Sequence, residues 1–171
     1  MGNYFSYGEQ AGHYFNRPHD AVPREPVESS AAWRGEALEE SRWRERLTPA
    51  QVGEIESALA AARSSGKATG ELSAEDFPLP TLTADVRRWR DEVHEGLGFR
   101  VISGIPVERM SDEDAGVLFW CLGLHFGRPG AQNADGDLLG HVADTGDSAE
   151  DPFVRLYRTK ADIAYHCDAA D

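Results

Sequence analysis

The sequence predicts an α+β protein. Two segments, 49–65 and 84–97, repeat apolar residues at three and four positions, as one buried helix face requires. A third, from Ser111, is apolar on almost every side. Two short runs, Phe99–Ser103 and Phe153–Thr159, read as strands set between turn-forming residues. With 171 residues, 40% of them hydrophobic, the chain can bury a core, as one ordinary domain or as half of a larger one.

Residues 1–32 read as an irregular arm, since Pro18, Pro23 and Pro26 interrupt it and no period is sustained. His13 and His19 stand six apart, too far for the usual helical metal pair, and read as solvated loop residues. Trp33–Leu47 gives no firm secondary structure. The first helix runs from Pro49 to Ser65. Thr48 caps it, Gln51 completes a capping box, Val52, Ile55, Leu59 and Ala62 form the buried stripe, and Gly66 offers a left-handed stop. A Gly-, Ser- and Pro-rich linker extends to Pro80. The second helix follows Thr83, with Val86, Trp89, Val93 and Leu97 on one face, and Gly98 ends it.

Strand Phe99–Ser103 is closed by Gly104 and Pro106. The third helix begins at Ser111, with Asp112, Glu113 and Asp114 in the turn where the helix dipole favours negative charge. Val117–Leu124 leaves almost no polar face, so burial on most sides is expected, with Cys121 as a small core residue. From Gly127 to Pro152 the chain is rich in Gly, Asp, Asn and Ala. Asp135-Gly136-Asp137 and Asp144-Thr145-Gly146-Asp147 invite a calcium reading. Counted from Asn133, however, Leu138 falls where the calcium loop needs Gly, and solvated turns are the simpler account. In Phe153–Thr159, Val154 and Leu156 share one face, and Phe153, Arg155 and Tyr157 the other.

Charge narrows the function classes. Lys and Arg total 17 against 30 Asp and Glu, a net charge of -13, which repels phosphate backbones and anionic lipid. Nucleic acid and membrane are therefore not expected as partners. The Gly116–Leu124 run is about half a membrane span. Met1–Gln10 has neither the basic residues nor the apolar run of a secretory signal. It fits a loose myristoylation template, yet lacks the polybasic second signal that stable anchoring needs. Two cysteines make no disulfide framework. The expected location is the cytoplasm.

The chemistry-bearing residues are Tyr165-His166-Cys167-Asp168. In an extended segment, His166 and Asp168 project from one face, with Cα atoms roughly 7 Å apart, and Cys167 from the other. An imidazole and a carboxylate so placed can converge on one metal ion. With a distant His they would form the facial triad of non-haem Fe(II) oxygenases. A lone H-x-D tripeptide also arises by chance.

Gly98–Asp171 resembles the Fe(II)- and 2-oxoglutarate-dependent dioxygenases of the taurine dioxygenase (TauD/TfdA-like) family. Gly98-Phe99-Arg100-Val101-Ile102-Ser103-Gly104 is similar to the family's early "GF-x-V-x-x-G" strand. Leu122-Gly123-Leu124-His125-Phe126-Gly127-Arg128-Pro129 is similar to its "LG-x-x-FG-x-P" segment, and His166-Cys167-Asp168 to its "H-x-D". The resemblance implies an incomplete double-stranded β-helix, or jelly roll, with N-terminal helices packed on the sheet, occupying 33–171 and stopping after H-x-D.

It also implies His166 and Asp168 as iron ligands and a small-molecule substrate. The complete enzyme would use dioxygen and 2-oxoglutarate, releasing succinate, to hydroxylate an unactivated C–H bond. Gln132 and Asn133 fall where the family places substrate contacts, although turn chemistry explains them equally. Tyr157 is a candidate for the pocket wall or a plain strand residue.

The departure is at the end. Only three residues follow Asp168, none of them the distal His or the 2-oxoglutarate-binding Arg that the family supplies downstream. His141 is the nearest upstream alternative ligand, or a loop residue. An unclosed jelly roll would expose sheet edges and favour association, including homo-oligomers. The chain alone is then expected to be inactive, as a dioxygenase fragment. The alternative is a non-catalytic remnant or interaction module of the same fold.

Overall fold

A computed structural model describes residues 4–16, 18, 24–26, 28–133, 135–148, 150, 154 and 158–162. The chain divides into two units, Met1–Leu138 and Leu139–Asp171.

The first unit is built on three helices: α3 (Pro49–Ser64), α4 (Thr83–Glu95) and α5 (Asp112–Phe126). Before them lie α1 (Tyr7–Asn16), α2 (Glu40–Trp43) and strand β1 (Arg44–Arg46), and β2 (Val101–Ser103) lies between α4 and α5. Strands β1 and β2 pair in parallel, Glu45 opposite Ile102, forming a two-stranded sheet. A parallel pair needs a long crossover, and α3 and α4 provide it. The only strands among the described residues are these two, so the antiparallel jelly-roll sheet is not seen there. Helices pack on one another, α3 and α4 both against α5, rather than on a broad sheet.

Local chemistry fixes the helix starts. The Gln51 backbone N–H donates to Thr48 Oγ1 at 3.3 Å, and the Thr48 N–H donates back to the Gln51 side-chain oxygen at 2.9 Å. This capping box satisfies two otherwise orphaned groups. Ser111 likewise accepts from the Asp114 N–H at 3.1 Å. Leu82 stands at the N-cap of α4 with no cap of its own; Glu54 on α3 accepts from the N–H groups of Thr81 (2.8 Å) and Leu82 (3.0 Å). Gly66 and Gly104 adopt φ of 69° and 97°, the left-handed region where glycine avoids a side-chain clash.

The core comprises Ile55, Ala58 and Ala62 from α3, Val86 and Trp89 from α4, and Val117, Leu118, Trp120 and Cys121 from α5. Leu72, Phe77, Leu79 and Leu82 join it from the connection between α3 and α4, and Leu47, Leu97 and Ala131 are buried as well. The segment expected as a linker is therefore a core-bearing connection. It makes two 3-10 turns, Thr69–Glu71 and Ala74–Asp76, with the Ser73 N–H and hydroxyl both bonded to Asp76.

Several other expectations need correction. The arm is not wholly irregular, because Tyr7–Asn16 is helical, although α1 buries none of its residues. In α3, Val52 and Leu59 are only half-buried and Ala58 takes the central place. Helix α4 ends at Glu95, not Gly98. Leu97 reaches the core from the following loop, its N–H bonded to Glu92 at 3.0 Å, while Val93 is exposed. The expected strand at 99–103 narrows to Val101–Ser103. Helix α5 has one open face, where Phe119 is 72% exposed.

The second unit is described at 139–148, 150, 154 and 158–162. Thr145 donates from its N–H (2.9 Å) and hydroxyl (3.1 Å) to the Arg158 carbonyl. Asp147 pairs with Arg158 at 2.9 Å, and Asp144 with Lys160 at 3.2 Å. The expected strand Phe153–Thr159 lies largely outside the described residues. Among the described residues, no helix is long and apolar enough to cross a membrane.

Candidate functional site

The Gly98–Gly104 segment places β2 against β1, and the strand pair is tied to α4 by Glu45. Its carboxylate accepts from both terminal nitrogens of Arg88 at 2.9 Å, from the Trp89 indole at 3.1 Å and from Arg100 Nη2 at 2.5 Å. These bonds, Arg88 foremost, pull the Glu45 pKa down from 4.5 to about 2. Arg100 also donates to the Arg42 carbonyl at 2.8 Å, and its Nε is buried without a partner. Around this cluster, Trp33 stacks near Phe99, its indole donating to the Leu97 carbonyl at 2.8 Å. Trp43 packs on the same ring. The arrangement is a scaffold that holds the motif strand through Glu45, Arg88, Trp89 and Arg100.

The Leu122–Pro129 segment ends α5 and turns the chain outward. His125 shares a hydrogen bond with the Phe77 carbonyl at 2.8 Å and is thereby engaged in packing. One turn earlier, burial and the nearby Asp76 push the Cys121 thiol up to about 11, so it stays neutral and inert. Asp76 itself is held at about 2, first by Lys67 and then by Ser73.

Beyond Pro129 lies the turn that carries Gln132 and Asn133. The Gln132 N–H donates to the Asp137 carbonyl at 2.6 Å, and its side chain donates to the Gly130 carbonyl at 2.9 Å. Asn133 donates to the Asp137 carboxylate at 2.7 Å and accepts from the Asp137 N–H at 3.1 Å. Gly136 adopts φ of 87° inside this loop. Asp135-Gly136-Asp137 thus belongs to a side-chain-closed turn. Gln132 is exposed and Asn133 half-buried, adjacent on one turn.

His166, Asp168 and Tyr157 lie outside the described residues, as does Cys167. His141 is described and exposed. Among the described residues there is no group of three His, Cys, Asp or Glu that could hold a metal ion. The sequence-expected pair His166 and Asp168 lies outside that set. By donor chemistry the pair suits Fe(II), one neutral imidazole and one hard carboxylate. The Thr145–Arg158 clamp holds the chain eight residues before His166. Sequence reasoning missed Glu45, which carries no periodic or motif signal because it acts through partners far away in the chain.

Comparison with known proteins gives the class of protein to which these segments belong. Residues 64–171 match the model of the taurine catabolism dioxygenase TauD, TfdA family, and the chain belongs to that family. It is 26% identical over 152 residues to FR-33289 synthase of Streptomyces rubellomurinus, covering 88% of this chain and 45% of that protein. It is 33% identical over 106 residues to the taurine hydroxylase-like protein SAT17 of Stachybotrys chartarum, covering 61% of this chain and 28% of that protein. The chain thus spans less than half the length of these relatives.

Proposed function

We propose that this chain is the first half of an Fe(II)- and 2-oxoglutarate-dependent dioxygenase that hydroxylates a small organic molecule. The observation that carries the reading is family membership over 64–171, a stretch that includes the His166-x-Asp168 pair. The hydroxylase in the name of one relative supports the reaction class. On this reading the described helices and the β1–β2 pair flank a jelly roll whose larger part is continued beyond these residues. His166 and Asp168 hold the iron, and Gln132, Asn133 and Tyr157 stand on the substrate side. When bound, iron with 2-oxoglutarate supplies the oxidising power for C–H hydroxylation. The chain's own residues orient the ligands and the substrate: Thr145 and Asp147 clamp Arg158 ahead of the ligand pair, and the Asp137-closed turn presents Gln132.

Two protein ligands bind Fe(II) weakly, since affinity depends on the ligand count. Anaerobic calorimetric titration of this chain should show a weak site, weakened by roughly tenfold or more in His166→Ala and Asp168→Ala and unchanged in His141→Ala. Tight one-to-one binding that His141→Ala abolishes would replace this ligand set with one containing His141.

A further inference from the structure

We propose that Tyr4–Gln10 is a strap that positions the 130–133 turn, with Gln10 as the residue that acts on it. Phe5 bridges Gly130 in parallel: its N–H donates to the Pro129 carbonyl and its carbonyl accepts from the Ala131 N–H, both at 2.8 Å. The Gln10 carboxamide donates to the Ala131 carbonyl at 2.9 Å. From the other side, the Arg128 guanidinium lies 3.9 Å from the Phe5 ring centre and donates to the Tyr4 carbonyl at 2.9 Å.

The two segments are fitted to each other. A Cβ at Gly130 would stand 2.5 Å from Gln10 Cδ, well inside van der Waals contact, so a side chain there displaces the Gln10 carboxamide from this place. The bonding then runs on into the turn, because Gln132 donates to Gly130 and to Asp137, and Asn133 closes on Asp137. Strap, Gly130–Ala131 backbone and turn form one hydrogen-bonded chain. Helix α1 itself buries no residue, so the strap opens at lower cost than the core. That Gln132 and Asn133 thereby take their places beside substrate rests on the function proposed above; the strap's hold on the turn does not.

Hydrogen exchange on the whole chain tests this separately from the metal titration. Gln10→Glu keeps the side chain's shape but sets a carboxylate against the Ala131 carbonyl. It should speed exchange at Phe5, Ala131 and 132–137 roughly five- to tenfold, the effect of one lost hydrogen bond, with α3 and α5 unchanged. Gly130→Ala should do the same by displacing Gln10, and should add nothing in a Gln10→Ala background where the collision is gone. A glutamine with only a general structural role would not give that compensation. Unchanged exchange at Ala131 in Gln10→Glu would overturn the strap, as would a full Gly130→Ala effect in the Gln10→Ala background. Lost protection spreading to α3 would overturn it as well, since Gln10 would then support the fold at large.

Discussion

The helical layer from Leu47 to Phe126 and the polar stretch from Gly127 to Ser148 are held by opposite means. In the first lie nearly all the buried apolar side chains among the described residues, from Leu47 and Ile55 to Trp120 and Cys121. In the second, Ala131 alone is buried among the described residues, Val142 is 78% exposed, and Asn, Asp and Thr side chains close the turns. Apolar burial gives a rigid layer that tolerates little change, whereas side-chain-closed turns leave a surface whose residues can be exchanged with small cost to the fold. A binding surface is best placed on the second kind of segment and supported by the first.

The sharpest way to break this comparison is to empty the core of the first region. Trp89 is 1% exposed, and Trp89→Ala should cost about 3–5 kcal/mol in urea denaturation, whereas Val142→Ala should stay within about 0.5 kcal/mol. Equal costs would erase the distinction.

Next in size is the Glu45 cluster, the polar element inside the helical layer. Glu45→Gln should cost about 1–2 kcal/mol at pH 7, because bonds to a charged acceptor are lost at a partly exposed site. Its pKa is depressed from 4.5 to about 2 in the folded state, so the contribution is fully present above about pH 4.5 and disappears as pH falls toward 2. Acid titration of stability should therefore be steeper in the native chain than in the variant across that window. Parallel curves would mean that Arg88 and Arg100 do not hold Glu45. Smaller still, Thr48→Ala should cost about 1 kcal/mol, from one lost cap of α3, read by the same denaturation.

The sequence revealed what depends on neighbours along the chain. Thr48 with Gln51, Ser111 with Asp114, and Gly66 and Gly104 are local devices, and each does in the structure what its spacing implied. What lay hidden depends on distance. Leu72, Phe77 and Leu79 join the core from 3-10 turns and extended chain, where helical periodicity has no hold. Strand β1 is Arg44-Glu45-Arg46, three charged residues that form a strand because β2 lies beside them and Arg88 and Arg100 neutralise Glu45. Leu97 is buried as expected, but from the loop after α4, while Val93, expected on the same buried face, is exposed. Of the candidate site, the sequence indicated Gln132 and Asn133 but not the Phe5 and Gln10 contacts on the adjoining backbone, which join residues at opposite ends of the first unit.

On the function proposed above, His166 and Asp168 form the metal pair of a dioxygenase. Succinate release by a protein in which this chain is continued by the remainder of the family's domain tests it most directly. Asp168→Ala should lower turnover by at least about a hundredfold, more than the loss of an outer-shell partner, because it removes the carboxylate ligand. Cys167→Ala should stay within about threefold, the outcome expected if 166–168 is extended and neighbouring side chains alternate. Turnover retained in Asp168→Ala, or lost as fully in Cys167→Ala, would contradict the account.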